Sequence, residues 1–200
     1  FISATQGIRD EIATRLNEVE SDNTDIYTGW INQGLRDIQN SFPDASFLRT
    51  SADRTLSSGT RQYAAPSNFD KMNSVTYPAG DVKLKFIFPE EFDILQPSAS
   101  EGGIPTIYTI RNQGSNGTIE YYPSPAGSYT VHLDFQKVII TVSASSAVPE
   151  IPEKYNELLV FFGESRGLRR RGQYTEARVV SNEYELLKQK MMEDLRSQTT

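Results

Sequence analysis

The chain has 200 residues, with 20 Lys and Arg against 26 Asp and Glu, one His and no Cys. Lack of cysteine rules out disulfides, thiolate metal sites and cysteine nucleophiles, and a net charge of −6 has the wrong sign for a nucleic-acid grip, which needs a basic excess. A hydrophobic content of 37% suits a folded globular chain, and no apolar run approaches the ~20 residues that span a bilayer.

Ile8, Ile12, Leu16 and Val19 recur at helical spacing and predict an amphipathic helix over residues 4–20. Ser21-Asp22-Asn23-Thr24 interrupts the pattern with capping residues. A second helix is expected from Asp25 to Phe42, with Ile26, Trp30, Ile31, Leu35, Ile38 and Phe42 on its apolar face. Pro43 ends it, because proline disfavours helical geometry in the residue before it. The short link makes the two helices antiparallel neighbours.

From Thr50 onward the punctuation changes. Arg54–Leu56 and Arg61–Ala64 flank Ser57-Ser58-Gly59, a hairpin signature, and Met72–Tyr77 and Val82–Phe88 flank Pro78-Ala79-Gly80-Asp81, another turn. Pro89–Leu95 reads as one helical turn, opened by Pro89 and closed by Pro97. Ile107–Arg111 and Thr118–Tyr122 flank Gly114-Ser115-Asn116-Gly117, whose Asn-Gly pair is a hairpin signal because both turn positions need positive φ. Tyr129, Val131, Leu133 and Phe135 alternate with polar residues in the period of a half-buried strand, and Val138–Val142 continues extended. The middle therefore reads as six to eight antiparallel strands.

After a small polar connector, Ser143–Val148, Pro152 opens a third helix with Tyr155, Leu158, Leu159 and Phe162 on its dry side. A fourth helix is expected from Tyr174 to Leu195, about 33 Å long. Its seam is Ala177, Val180, Tyr184, Leu187, Met191 and Leu195. The periodicity switches from 3.6 to 2 and back, so the expected fold is α+β. Residues 1–50 and 150–200 form a four-helix bundle, and residues 51–149 an inserted antiparallel β domain, a small sandwich or barrel.

Few residues invite chemistry. His132 and Asp134 share one strand face and make an acid–base pair conceivable, yet two polar residues on the wet face of a sheet explain them more cheaply. Glu90, Glu91 and Asp93 lack the spacing of a calcium loop and suit a helix first turn. Phosphate loops, dinucleotide fingerprints and paired-histidine motifs are missing from the sequence, so neither catalysis nor a cofactor is expected. Arg166, Arg169, Arg170 and Arg171 form the one basic cluster. It can complement a helix C-terminus, meet acids on a neighbouring subunit, or face DNA in a lumen. Lys188, Met191, Met192, Leu195 and Arg196 offer adaptable apolar surface with charge near the chain end, which suits a protein contact.

Several stretches together resemble the phage head-to-tail adaptor family. Trp30-Ile31-Asn32-Gln33-Gly34-Leu35-Arg36-Asp37-Ile38 looks like its second-helix signature. Gly59 through Tyr63, then Ala65-Pro66-Ser67-Asn68-Phe69-Asp70-Lys71, resembles its glycine, aromatic, proline, aspartate–phenylalanine, lysine stretch. Gly103-Ile104-Pro105-Thr106-Ile107-Tyr108, Tyr122-Pro123-Ser124-Pro125 and Ile151-Pro152-Glu153-Lys154-Tyr155 match further landmarks in the family's order. The resemblance implies a virion structural protein in the neck between capsid and tail, assembled in the host cytoplasm. It implies a homo-oligomeric ring of about twelve subunits beneath the portal protein, followed by a tail or nozzle protein, with DNA only passing through the lumen and no membrane contact. It implies no catalysis, and docking through the C-terminal part. The alternative is a β-domain binding module for carbohydrate or protein, with Tyr108, Tyr121 and Tyr122 as its aromatic surface.

Overall fold

The computed structural model describes residues 4–95, 102–112 and 117–197. In chain order the elements are α1 (Thr5–Leu16), α2 (Thr24–Ser41), β1 (Arg49–Leu56), β2 (Gln62–Ala64), β3 (Phe69–Tyr77), β4 (Val82–Lys83), β5 (Lys85–Phe86), α3 (Pro89–Leu95), β6 (Gly102–Gly103), β7 (Ile107–Arg111), β8 (Thr118–Tyr122), β9 (Ser124–Pro125), β10 (Tyr129–Lys137), α4 (Glu157–Arg170) and α5 (Tyr174–Ser197). The expected Asn-Gly turn lies, apart from Gly117, outside the described residues, as do the last three residues of the C-terminal segment. The chain divides into two compact units, Phe1–Phe47 with Ile139–Thr200, and Leu48–Val138.

The helical unit contains α1, α2, α4 and α5, and α4 packs against the other three. α1 is shorter than its apolar spacing suggests. Asn17 adopts φ 52°, so the helix stops there. The Asn17 N–H then donates to Thr14 O and the Glu18 N–H to Ala13 O, which satisfies the last carbonyls. Val19, expected on the buried stripe, is 62% exposed. α2 buries Tyr27, Ile31, Gly34, Leu35 and Ile38, while Trp30 sits half-buried at the edge of that face with its ring 5.5 Å from Tyr27. Gly34 allows α4 to come close: a Cβ there would lie 3.1 Å from Leu159 Cδ2. Gly163 and Gly167 do the same for α1, since added Cβ atoms would lie 2.4 Å from Ile12 Cδ1 and 2.3 Å from Leu16 Cδ1. α5 buries Ala177, Tyr184 and Met191, spaced seven apart, a narrow stripe of the coiled-coil kind.

Val138–Val142 is not a strand. Its backbone is held by side chains of α2 that imitate a ladder. Ile139 N–H donates to Gln39 Oε1 at 3.0 Å, Val142 N–H to Asn32 Oδ1 at 2.8 Å, and Asn32 Nδ2 to Val142 O at 2.9 Å. Seven residues separate Asn32 from Gln39, two helical turns on one face.

The β unit holds two open four-stranded sheets, β1-β10-β3-β4 and β2-β8-β7-β5, and the pair β6-β9, so β1 and β2 form no hairpin: the turn between them carries the chain from one sheet to the other. Neither sheet closes, so the barrel alternative is excluded. Leu56, Val75, Val131, Leu133 and Phe135 of the first sheet join Tyr108, Ile119 and Tyr121 of the second in one apolar cluster. Ten strands form among the described residues, more than expected, and they are not all antiparallel. β5 pairs with β7 and β6 with β9 in parallel. For β5 and β7 the reason is the connection: α3 lies between them, and a crossover returns the chain in the same direction.

Candidate functional site

Tyrosine–carboxylate pairs recur in the helical unit. Tyr184 donates to Asp37 Oδ2 at 2.5 Å, and Lys188 Nζ reaches the same oxygen at 3.2 Å. Tyr155 donates to Asp194, which also takes Lys154 Nζ at 2.5 Å. Tyr27 donates to Glu18, whose carboxylate also receives Arg171. Burial raises the Glu18 pKa, but donation from Tyr27 and Arg171 outweighs it and holds the group below the usual carboxylate range. Burial and then Asp37 push the Tyr184 hydroxyl pKa up, so it stays a donor. Each arrangement fixes a helix end or a helix pair; none leaves a nucleophile free.

The four arginines do not act as one patch. Arg171 is bonded to Glu18, and Arg169 donates to Ser181 Oγ at 3.1 Å. Arg166 lies over the Phe162 ring at 5.0 Å. Arg170 is exposed and adds only its field at Glu18.

The five residues near the chain end are also divided. Met191 is fully buried, so it belongs to the unit's own core. Lys188 is bound to Asp37 and Glu185 and lies over the Tyr184 ring. Met192, Leu195 and Arg196 line a cavity of about 350 Å³ whose opposite wall is Ser41–Ser46. That wall follows α2, and nothing in the residue pattern marked it, because its partners lie some 150 positions away.

In the β unit, His132 Nδ1 lies 2.7 Å from Asp53 Oδ1 on the adjacent strand, with Asp134 near Asn73 instead. Both pairs lie in the β1–β10–β3 sheet, and the His132–Asp53 pair is exposed, as a wet face would have it. Asp93 is bound by Arg111, while Glu90 and Glu91 are exposed in the first turn of α3. Arg111 Nε also donates to Glu120 Oε2 at 2.7 Å, and Arg61 binds the other Glu120 oxygen. Phe92, fully buried, lies under both guanidinium groups. Of the aromatic triad, Tyr108 and Tyr121 are core residues and only Tyr122 is partly exposed. A different aromatic surface is present among the described residues. Phe86 and Phe88, 5.3 Å apart, border a groove of about 670 Å³ with Phe69, Met72, Tyr108 and Ile110. Among the described residues no cluster of three His, Cys, Asp or Glu could hold a metal ion, and no helix is long and apolar enough to cross a membrane.

A surface made of structural pairs and of recesses with mixed apolar and polar lining suits protein contact. Comparison with known families agrees: the model of the SU10 adaptor protein family matches residues 4–200. The chain belongs to that family. No curated protein matches it. In this SU10 adaptor the second-helix stretch Trp30–Ile38 acquires physical reasons. Ile31, Leu35 and Ile38 face the core, Gly34 admits α4, Asn32 clamps Val142 and Asp37 receives Tyr184 and Lys188. The chain is thus a phage adaptor protein, a partner of other structural proteins of the virion.

Proposed function

We propose that this protein is a head-to-tail adaptor that assembles as a ring of about twelve copies between the portal and a tail or nozzle protein, around the channel through which DNA leaves. The helical unit is a bundle of its four long helices, the β unit an insertion, and the protein carries no catalysis and needs no cofactor. The observation that carries this reading is the family match, which runs from residue 4 to residue 200 and so includes both units. Charge supports it: copies at −6 each sum to about −72, a wall that does not hold passing DNA. Portal contact is made by the end of α5, through Met192 and Leu195 and the cavity they line with Ser41–Ser46. A cavity of that size accepts a bulky side chain of the partner. Electron microscopy of the protein mixed with its portal tests the reading. A closed ring seated on the portal is expected; a chain that stays monomeric and never binds the portal would overturn it.

A second reading keeps one observation on its side. Phe88 is 66% exposed and Phe86 41%, and a groove with such walls can seat an apolar partner. Asp70, Lys71 and Asn73 line it beside the aromatic residues, so both protein and carbohydrate find apolar and polar contacts there.

A further inference from the structure

We propose that Arg166 and Arg170 of one copy dock on Glu176 and Glu183 of the next copy; this rests on the ring reading and names its subunit contact. The two arginines stand four apart on α4, side by side and exposed. Like charges at that spacing repel, and neither forms an ion pair in its own chain among the described residues. Their neighbours are already used: Arg169 is held by Ser181 and Arg171 by Glu18. The complementary surface is on α5. Glu176, Val179, Glu183 and Leu186 fall on one outer flank, at spacings of three and four. Val179 is 58% and Leu186 61% exposed, and neither glutamate has an ion-pair partner among the described residues. Lys190 ends this acidic run.

Charge selects a second copy as the occupant. The helical unit carries twelve Lys and Arg against seventeen Asp and Glu, a net −5, so copies brought side by side repel in general. Attraction needs a local positive surface to meet a negative one, and these two ridges supply both signs within one chain. They are different surfaces, as a ring requires: a head-to-tail contact joins unlike patches, and each copy uses both.

That asymmetry gives the test. One variant carries Arg166→Glu and Arg170→Glu, so both its surfaces are acidic. The other carries Glu176→Arg and Glu183→Arg, so both are basic. Each is mixed with purified portal rings, alone and as an equimolar pair, and the adaptor copies per portal are counted by native mass spectrometry. Each variant alone is expected to lose at least about tenfold in subunit affinity and to leave incomplete rings. The mixture is expected to restore complete rings with the two variants alternating. Circular dichroism and thermal melting check folding, and Arg166→Gln with Arg170→Gln provides a milder variant, also expected to leave incomplete rings. Complete rings from either charge-reversed variant alone overturn the contact while leaving the adaptor reading intact. Folded variants that fail alone and also fail together overturn it too, and assign the arginines to the portal or the lumen. A wild-type protein that forms no ring overturns the ring reading, and the contact with it.

Discussion

Glu120 shows how one buried carboxylate can organise a unit. Its side chain is 3% exposed and is bound by both Arg61 and Arg111. Burial raises its pKa, but the two arginines outweigh that and keep it below the usual range. The folded pKa is thus lower than the unfolded one, so the stability Glu120 contributes is fully present above the unfolded value, ~4.3, and is lost as pH falls through the folded value. Glu120→Gln is expected to cost about 2 kcal/mol at neutral pH and to flatten the acid limb of the stability curve, read from urea titrations between pH 3 and 7. An unchanged acid limb would assign that pH dependence to other carboxylates. Asn32 makes a parallel case without charge. Asn32→Ala strips both partners from the Val142 backbone. A cost of about 1–3 kcal/mol is expected, with faster hydrogen exchange at the Val142 amide. Asn32→Asp keeps the acceptor for the N–H but loses the donor to the carbonyl, and should fall between.

Between elements, glycine sets the packing distance. On α4, Gly163 and Gly167 stand four apart, as do Ile12 and Leu16 on α1, so two side chains enter two notches. At Gly167 the nearest atoms are Cδ1, Cδ2 and Cγ of Leu16, the last at 3.1 Å, so a new side chain meets the whole branched end rather than one movable methyl. Gly167→Val is expected to destabilise by about 2–3 kcal/mol. Gly29, inside α2 with nothing near its missing Cβ, is the control. Gly29→Ala should stabilise by about 0.5–1 kcal/mol through helix propensity alone. Opposite signs in thermal melts would establish that packing, not composition, decides. The core faces of α2 and α5 could be read from spacing alone, because periodicity of apolar residues directly reports which side is dry. Positions that depend on a distant partner could not. Asn17 stops α1 by adopting a left-handed conformation, which spacing does not encode. Ile139–Val142 looks like a strand since its residues are β-branched, yet its partners are side chains 100 to 110 positions away. Tyr108 and Tyr121 looked available for binding, but the two sheets close over them. The groove beside Phe86 was hidden because a short strand and its turn carry no period.

For the whole molecule, the decisive matter is whether the end of α5 makes the proposed portal contact. Removing residues 189–200 looks like the natural experiment, and the structure argues against it. That truncation deletes Met191, which is fully buried, and Asp194, which holds Tyr155 and Lys154. Loss of a buried Met side chain costs about 2–5 kcal/mol, so the truncated protein is expected to melt well below the intact one, and lost binding would report only unfolding. Met192 and Leu195 avoid this, being partly exposed at the cavity rather than central to the core. Met192→Ser with Leu195→Ser should therefore leave the melting temperature within a few degrees while weakening portal binding about tenfold or more, since apolar anchors in a pocket carry most of an interface's energy. A matched change on the opposite wall, at the exposed Ser46, is Ser46→Trp, which should fill the cavity and block the same contact while leaving the sequence of α5 unchanged. Equilibrium binding to purified portal rings distinguishes the possibilities. If both variants bind as the wild type does, the cavity is not the dock, and the helical face around Arg166 or the groove beside Phe86 is left to meet the portal.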